Sequence, residues 1–122
     1  MKIFYINDKD NERISFKTSI EDEGYECETY PGDAVFEFSK RWFLPHVFIV
    51  DQSEEIPAIE MVVHIISLMH PSSYIICLTD VTEDRYLYMY LKGADEVYKK
   101  SISNSILLAK ICQIDRKLVR VI

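Results

Sequence analysis

Polar side chains of several chemical types follow the apolar segments of this sequence, at points where strands are predicted to end. They are Asn7 and Asp8 after the first segment, Asp51 after the third, Thr79 and Asp80 after the fourth, and Lys99 and Lys100 after the fifth. In open α/β sheets the carboxyl ends of parallel strands share one edge, and ligands bind there. We therefore expect carboxylates, a hydroxyl and an ammonium group to meet in one polar, charged site.

Five strand segments alternate with five helical segments along the chain. The predicted strands cover residues 3–6, 25–30, 47–50, 74–78 and 97–98, and the predicted helices cover residues 11–23, 34–42, 59–69, 83–92 and 103–118. The third strand, VFIV, is apolar throughout, which is typical of a strand buried on both faces of a parallel sheet. Gly24 and Gly93 are placed to end helices, and Ser103 is placed to begin one. This alternation predicts an α/β fold, a doubly wound parallel sheet with helices on both faces.

Length and composition favour a single cytoplasmic domain over residues 1–122. A chain of 122 residues has room for one core. Its formal net charge of −6 repels phosphate backbones, so the domain itself should not bind DNA. No apolar run reaches the length of about 18 residues that a membrane span needs, and the N-terminal apolar segment is too short for a signal peptide.

The sequence lacks the signatures of a turnover enzyme or a zinc protein. It has three glycines, without a glycine-rich phosphate loop, and no Ser–His or Cys–His constellation. Cys27, Cys77 and Cys112 are odd in number and far apart, which argues against disulfides and against zinc. We expect all three to be buried free thiols.

Four short motifs, in order along the chain, carry a resemblance to a known family. They are KIFYIND at residues 2–8, HVFIVD at 46–51, YIICLT at 74–79 and GADEVYKK at 93–100. The motifs resemble the acidic pair, the phosphoacceptor strand, the hydroxyl strand and the lysine stretch of receiver domains in two-component signalling. The resemblance covers essentially the whole chain. It implies a CheY-like, flavodoxin-like sheet of five strands in the order 2-1-3-4-5.

The resemblance also implies a role for each site residue. Asp51 would accept a phosphoryl group from a sensor histidine kinase as a carboxylate nucleophile. Lys100 would pair with the phosphoryl oxygens, and the Thr79 hydroxyl would report that the group has arrived. Mg²⁺ would bind the oxygens of a ligand set made of Asp8, Asp51, the backbone carbonyl of Ser53 and, more weakly, Asn7. The domain would then catalyse only its own phosphotransfer and dephosphorylation.

Five positions depart from the family pattern. Asn7 stands where an acid is usual, Glu55 where a proline is usual, and Asp80 where a small residue is usual; Val97 replaces an aromatic residue and Ser101 replaces a proline. An amide oxygen carries no charge, so Asn7 predicts weaker metal binding. The departures also support an alternative interpretation, a degenerate pseudo-receiver that works as a phosphorylation-independent dimerisation or docking module.

The last third of the chain predicts the partners. Tyr86 and Tyr90 lie one turn apart on the fourth predicted helix, where they either pack into the core or form a protein-binding face. The closing helix resembles that of receivers in OmpR-type winged-helix regulators. This resemblance implies a homodimer through the fourth helix, fifth strand and fifth helix, with Asp95, Lys110 and Arg116 as interface residues. DNA would be bound only through an effector domain beyond these residues, in a protein that regulates transcription, and no membrane partner is expected.

Overall fold

The computed structural model describes residues 2–32, 46–51, 56–80 and 82–121, except for the side chains of residues 56–58, 84 and 118–121. Its elements are β1 (Lys2–Ile6), α1 (Asp10–Asp22), β2 (Glu26–Tyr30), β3 (Val47–Asp51), α2 (Ile56–Met69), β4 (Tyr74–Leu78), α3 (Glu83–Lys92), β5 (Glu96–Tyr98) and α4 (Asn104–Val121). The helix predicted over residues 34–42 lies outside the described residues. The fourth and fifth predicted helices are therefore α3 and α4.

The five strands form one parallel sheet in the order β2-β1-β3-β4-β5, which confirms the predicted order. β1 lies between β2 and β3, with Ile6 opposite Tyr30 on one side and Val50 on the other. The chain reverses its winding direction around β1, so the carboxyl ends of β1 and β3 flank the switch point of the sheet. That crevice is where ligands bind in open α/β folds.

Alternation along the strands divides the apolar side chains between two cores. Phe4, Phe48 and Val50 face α2 and α3, and the rings of Phe4 and Phe48 stack with their centroids 4.8 Å apart. Ile3 and Ile49 face α1 and α4 on the other side of the sheet. Because successive residues of a strand point to opposite faces, Tyr5 and Asp51 project toward the α1/α4 side.

Turn and cap residues set the ends of the helices. Gly24 (φ +90°) follows α1 and Gly93 (φ +122°) follows α3, both in the region that favours glycine. The Ser103 hydroxyl accepts a hydrogen bond from the backbone N–H of Ile106 at 3.3 Å, which confirms the predicted N-cap of α4. The last strand begins at Glu96, one residue before the prediction.

The prediction that all three cysteines are buried is wrong for one of them. Cys27 and Cys77 are buried, whereas Cys112 is exposed and its sulfur accepts a hydrogen bond from the Tyr25 hydroxyl at 3.2 Å. Ile111 lies on the buried face of α4. Cys112, the next residue, is rotated about 100° from it around a helix of 3.6 residues per turn. No helix in the part of the chain that the structure describes is long and apolar enough to cross a membrane.

Candidate functional site

Asp51 and Lys100 form an ion pair at the carboxyl edge of the sheet. Asp51 ends β3, and Lys100 follows β5 on the far side of β4. The Lys100 Nζ lies 2.8 Å from Oδ1 of Asp51, and the two side chains are only 18% and 13% exposed. The structure thus brings the ammonium group of Lys100 to the carboxylate of Asp51. Burial weakens solvent screening, so this lysine sets the local charge around Asp51.

Tyr5 is a site residue that the sequence analysis missed. Its hydroxyl donates a hydrogen bond to Oδ2 of Asp51 at 2.5 Å. The phenol ring stacks on Phe16 of α1, with centroids 3.9 Å apart and planes 9° apart. Burial, and then the hydrogen bond to Asp51, raise the pKa of Tyr5 far above its ordinary value. The hydroxyl therefore stays protonated and remains a donor to the carboxylate.

Asn7 turns its amino group, and not its oxygen, toward these side chains. The Nδ2 atom donates to the Tyr5 hydroxyl at 3.0 Å and to Oε2 of Glu12 at 2.6 Å. Its Oδ1 accepts the backbone N–H of Lys9 at 2.8 Å. These partners fix the amide orientation, because a carboxylate can only accept and a backbone N–H can only donate. The one side-chain atom of Asn7 that could ligate a metal therefore already accepts a local hydrogen bond, and its backbone carbonyl accepts one from Arg13 at 2.6 Å.

Asp8 follows β1 and is exposed, with Oδ1 accepting the backbone N–H of Gly32 at 2.8 Å. Among the residues that the structure describes, no three His, Cys, Asp or Glu side chains are grouped as they would be around a metal ion. The predicted ligand Ser53 lies outside those residues. Asp8 and Asp51 supply the hard carboxylate oxygens that Mg²⁺ prefers, but the Asn7 amide does not complete the set. The side chains fit a divalent cation only in part.

Thr79 lies at the same edge of the sheet, one residue beyond β4. Leu78 is paired with Asp51 across the β3–β4 register, and the backbone N–H of Thr79 donates to the carbonyl of Tyr98 at 2.9 Å. Thr79 is buried, whereas Asp80 is exposed. The topology thus brings the hydroxyl residue to the strand end beside Asp51, as predicted.

A groove of about 370 Å³ opens beside the ion pair, between α1 and the start of α4. Asp51 and Lys100 line it together with Tyr5 and Glu12. Small polar side chains of α1 and α4 form much of the rest; they are Asn11, Ser15, Ser19 and Asn104. The groove therefore leads to the edge of the Asp51 side chain along the α1/α4 side of the sheet, while Oδ1 itself is buried beside Lys100.

The predicted interface residues of α3 divide between the core and the surface. Tyr86 is half-buried against the α2/α3 core, while Tyr90 is 43% exposed and its hydroxyl accepts the backbone N–H of Val97 at 3.1 Å. The exposed apolar side chains of α3 are instead Leu87, Tyr88 and Leu91. Core packing therefore describes Tyr86, whereas Tyr90 lies partly on the exposed face of α3.

Two of the charged residues predicted for the interface, Asp95 and Lys110, already have partners within the chain. Oδ2 of Asp95 accepts the backbone N–H of Ile75 at 2.8 Å, and burial raises the pKa of Asp95. Lys110 forms an ion pair with Glu96 at 2.7 Å, and this hydrogen bond raises the pKa of Lys110. Arg116 is exposed on α4. Cross-subunit ion pairs of Asp95 or Lys110 would have to replace or share these contacts.

Several of the solved structures similar to this chain are response-regulator receiver domains. The CheY-like response-regulator receiver domain protein from Methanospirillum hungatei superposes with a TM-score of 0.76 at 21% identity, over 98% of both chains. The beryllofluoride-activated receiver domain dimer of NtrC4 gives 0.75 at 22% identity, over 96% of this chain and 98% of that chain. DrrB, an OmpR/PhoB homolog from Thermotoga maritima, gives 0.74 at 21% identity, over 96% of this chain and 54% of DrrB. No protein-family model and no curated protein sequence matches the chain.

These likenesses establish the fold. The chain has the five-stranded parallel fold of response-regulator receiver domains, and the resemblance carried by the four sequence motifs is confirmed at that level. Which chemistry this chain performs follows from its own side chains.

Proposed function

We propose that this chain is a receiver domain that accepts a phosphoryl group on Asp51 from a sensor histidine kinase and switches an output, with transcription as the regulated process. One observation carries the proposal: a buried carboxylate ends β3 at the switch point of the sheet and lies 2.8 Å from the ammonium group of Lys100. Phosphoryl transfer depends mainly on positioning and on neutralising charge. This pair supplies a positioned nucleophile and one positive charge.

In the proposed step, Oδ1 of Asp51, which is buried against Lys100 in the resting chain, is uncovered as Lys100 moves, and it forms a bond to phosphorus while the bond from phosphorus to the donor's leaving group breaks. The leaving group keeps the electron pair of that bond. Lys100 moves from Oδ1 to the oxygens of the phosphoryl group, whose charge it offsets. Thr79, at the neighbouring strand end, offers a hydroxyl to the same group, and this contact would connect phosphorylation to the output.

We include Mg²⁺ in the proposal as a weakly held ion on Asp8, Asp51 and the carbonyl of Ser53. When bound, a divalent cation would neutralise negative charge around the phosphoryl group. Asn7 contributes no charge, and its oxygen is occupied by the N–H of Lys9. We therefore expect an affinity lower than an acid at position 7 would give.

The partner side of the proposal follows the fold. We place the homodimer face on α3, β5 and α4, where Leu87 and Leu91 are 63% and 71% exposed. Such a face could gain stability from apolar burial, whereas surface ion pairs contribute about 0–1 kcal/mol each. We also propose a DNA-binding effector domain as the output, and the match to DrrB, an OmpR/PhoB homolog of which 54% is covered, supports a longer regulator.

The experiment is intact-mass measurement after incubation with Mg²⁺ and acetyl phosphate. We expect the wild-type chain to gain one phosphoryl group and Asp51→Asn to gain none. Lys100→Gln should reduce the phosphorylated fraction by at least about ten-fold, as expected for loss of one charge-assisted contact of about 1.5–3 kcal/mol. Lys99→Gln is the matched control, because Lys99 is exposed and follows the same strand. Equal loss in both lysine variants would contradict the assigned role of Lys100.

A second function is favoured by a specific observation. Oδ2 of Asp51 accepts a hydrogen bond from Tyr5 and Oδ1 forms an ion pair with Lys100, so the charge of the carboxylate is offset inside the chain without phosphate or metal, although Oδ1 accepts no hydrogen bond. This is the arrangement expected of a phosphorylation-independent dimerisation or docking module. A folded wild-type chain that gains no mass from acetyl phosphate, and that sediments as a dimer without it, would select this function over the first.

A further inference from the structure

Tyr5 makes a contact that the proposed reaction must accommodate. Its hydroxyl donates to Oδ2 of Asp51 at 2.5 Å, while Lys100 lies against Oδ1. We propose that Tyr5 is a positioning residue that stabilises the free carboxylate of Asp51, and thereby slows phosphorylation and shortens the lifetime of the aspartyl phosphate. The inference rests on the proposed function and identifies Tyr5 as a residue that regulates the phosphorylation of Asp51. Tyr5 is not among the site residues that the family resemblance implies.

The hydroxyl of Tyr5 has its direction fixed by its neighbours. Tyr5 is 3% exposed, and its ring stacks on Phe16 at a centroid distance of 3.9 Å. The Nδ2 atom of Asn7 donates to the phenol oxygen at 3.0 Å. Since a tyrosine hydroxyl has one proton, and Asn7 fills an acceptor position, that proton is directed to Asp51. The contact is therefore built into the core and does not depend on a mobile surface side chain.

Phosphorylation changes what Tyr5 donates to. When Oδ1 bonds to phosphorus and the donor's leaving group departs with its electron pair, Oδ2 becomes the carbonyl oxygen of an acyl phosphate. Tyr5 thus binds a charged carboxylate before transfer and a neutral carbonyl after it. Hydrogen bonds to charged acceptors are roughly twice as strong as those between neutral groups. The hydrogen bond from Tyr5 therefore favours the unphosphorylated state.

The same bond promotes the return step. In hydrolysis the oxygen of water bonds to phosphorus, the bond from phosphorus to Oδ1 breaks with its electron pair left on Asp51, and the protons of water leave with phosphate and solvent. Negative charge then develops on the carboxylate, where a fixed donor stabilises it. Removal of the hydroxyl should shift the balance about five-fold toward the phosphorylated form, which is about 1 kcal/mol.

The test compares the wild-type chain with Tyr5→Phe and with Tyr74→Phe. Tyr5→Phe keeps the ring on Phe16 and removes only the hydroxyl. Tyr74→Phe is the matched control, because Tyr74 packs on the same α1/α4 core and donates to a different carboxylate, Glu96, at 2.9 Å. Each chain is phosphorylated with Mg²⁺ and acetyl phosphate, the donor is removed, and the intact mass is followed with time.

We expect the aspartyl phosphate of Tyr5→Phe to decay two- to five-fold more slowly than that of the wild type, with a larger steady-state fraction, and Tyr74→Phe to match the wild type. Equal or faster decay in Tyr5→Phe would overturn the inference and leave the proposed function standing. Mass gain in Tyr5→Phe alone would support the role of Tyr5 but overturn the proposed function of the wild-type chain, whereas gain in neither chain would overturn both. Phe16→Leu, which keeps the hydroxyl but loosens its support, gives a second variant that should show part of the same slowing.

Discussion

Gly93→Ala adds one methyl group at a position with no room for it. Gly93 ends α3 with a φ of +122°, and a Cβ there would lie 2.4 Å from the Cβ of Ser67 in α2. That Cβ cannot rotate away, because it is attached directly to the helix backbone. The Ser67 hydroxyl is also held, since it donates to the carbonyls of His64 at 2.7 Å and Lys92 at 3.1 Å. Relief requires α2 and α3 to separate.

Two costs add at this position. A non-glycine residue in a sparsely populated backbone region costs about 1–3 kcal/mol, and an overpacked methyl group costs about 1–3 kcal/mol more. Gly24 provides the matched control, because it has a φ of +90° but a methyl group added there would have no neighbour within 4 Å. We therefore expect Gly93→Ala to lower the free energy of unfolding by about 2–6 kcal/mol and Gly24→Ala by about 1–3 kcal/mol.

Urea unfolding followed by circular dichroism measures both variants. A double-mutant cycle isolates the clash, since Ser67→Gly removes the obstructing Cβ whereas Ser67→Ala retains it. We expect Ser67→Gly to recover about 1–3 kcal/mol in the Gly93→Ala background and Ser67→Ala, which removes only the Oγ that lies 2.7 Å from the added Cβ, to recover less. Equal destabilisation by Gly93→Ala and Gly24→Ala, or equal recovery by Ser67→Ala and Ser67→Gly, would refute the assignment of the cost to the Cβ–Cβ contact between α2 and α3.

Two further predictions concern pH and the amide of the site. Burial lowers the pKa of His46 and of His70. Below a pH of about 6.5, the ordinary pKa of histidine, the unfolded chain therefore binds protons that the folded chain does not bind. The free energy of unfolding consequently falls as the pH is lowered. Thermal unfolding from pH 7.5 to 5.5 should show this loss, and the double variant His46→Gln/His70→Gln should flatten it; an unchanged slope would contradict the assignment. Asn7→Asp should destabilise the metal-free chain by about 1–2 kcal/mol, because the new carboxylate faces the Glu12 carboxylate and has no proton to donate to it. In thermal unfolding, added Mg²⁺ should stabilise this variant more than it stabilises the wild type. A variant whose unfolding is insensitive to Mg²⁺ would argue against the ligand set.

The sheet and the four described helices could be predicted because their signals are local. Continuous apolar runs define the buried strands, and Gly24 and Gly93 end helices through backbone freedom that other residues lack. The meeting of Asp51 and Lys100 follows from the same information, since both stand at carboxyl ends of strands in one parallel sheet. Cys112 shows where local composition fails: its neighbours are apolar, but its angle around α4 places it outward.

The remaining site contacts depend on side-chain packing between distant segments. Alternation places Tyr5 on the same face as Asp51, but the hydroxyl reaches Oδ2 only because Phe16 fixes the ring. Likewise, Asp95 is exposed, as its residue type suggests, but the type does not show that its Oδ2 accepts the N–H of Ile75 in the neighbouring strand. No residue spacing in the sequence encodes such partners. They require the register of the strands and the position of the helices.

The hydrogen bonds of Asn7 and Tyr5 depend on each other. The phenol oxygen of Tyr5 accepts a hydrogen bond from Nδ2 of Asn7, and this donor directs the tyrosine proton to Asp51. An aspartate at position 7 would present a second acceptor to Tyr5 and a like charge to Glu12, so the tyrosine proton would have two carboxylates to choose between. The departure at position 7 thus removes a charged ligand from the proposed metal site and at the same time supports an internal donor to Asp51, the proposed phosphoacceptor. A site arranged in this way replaces part of the charge neutralisation of a metal with hydrogen bonds that are present in the resting chain.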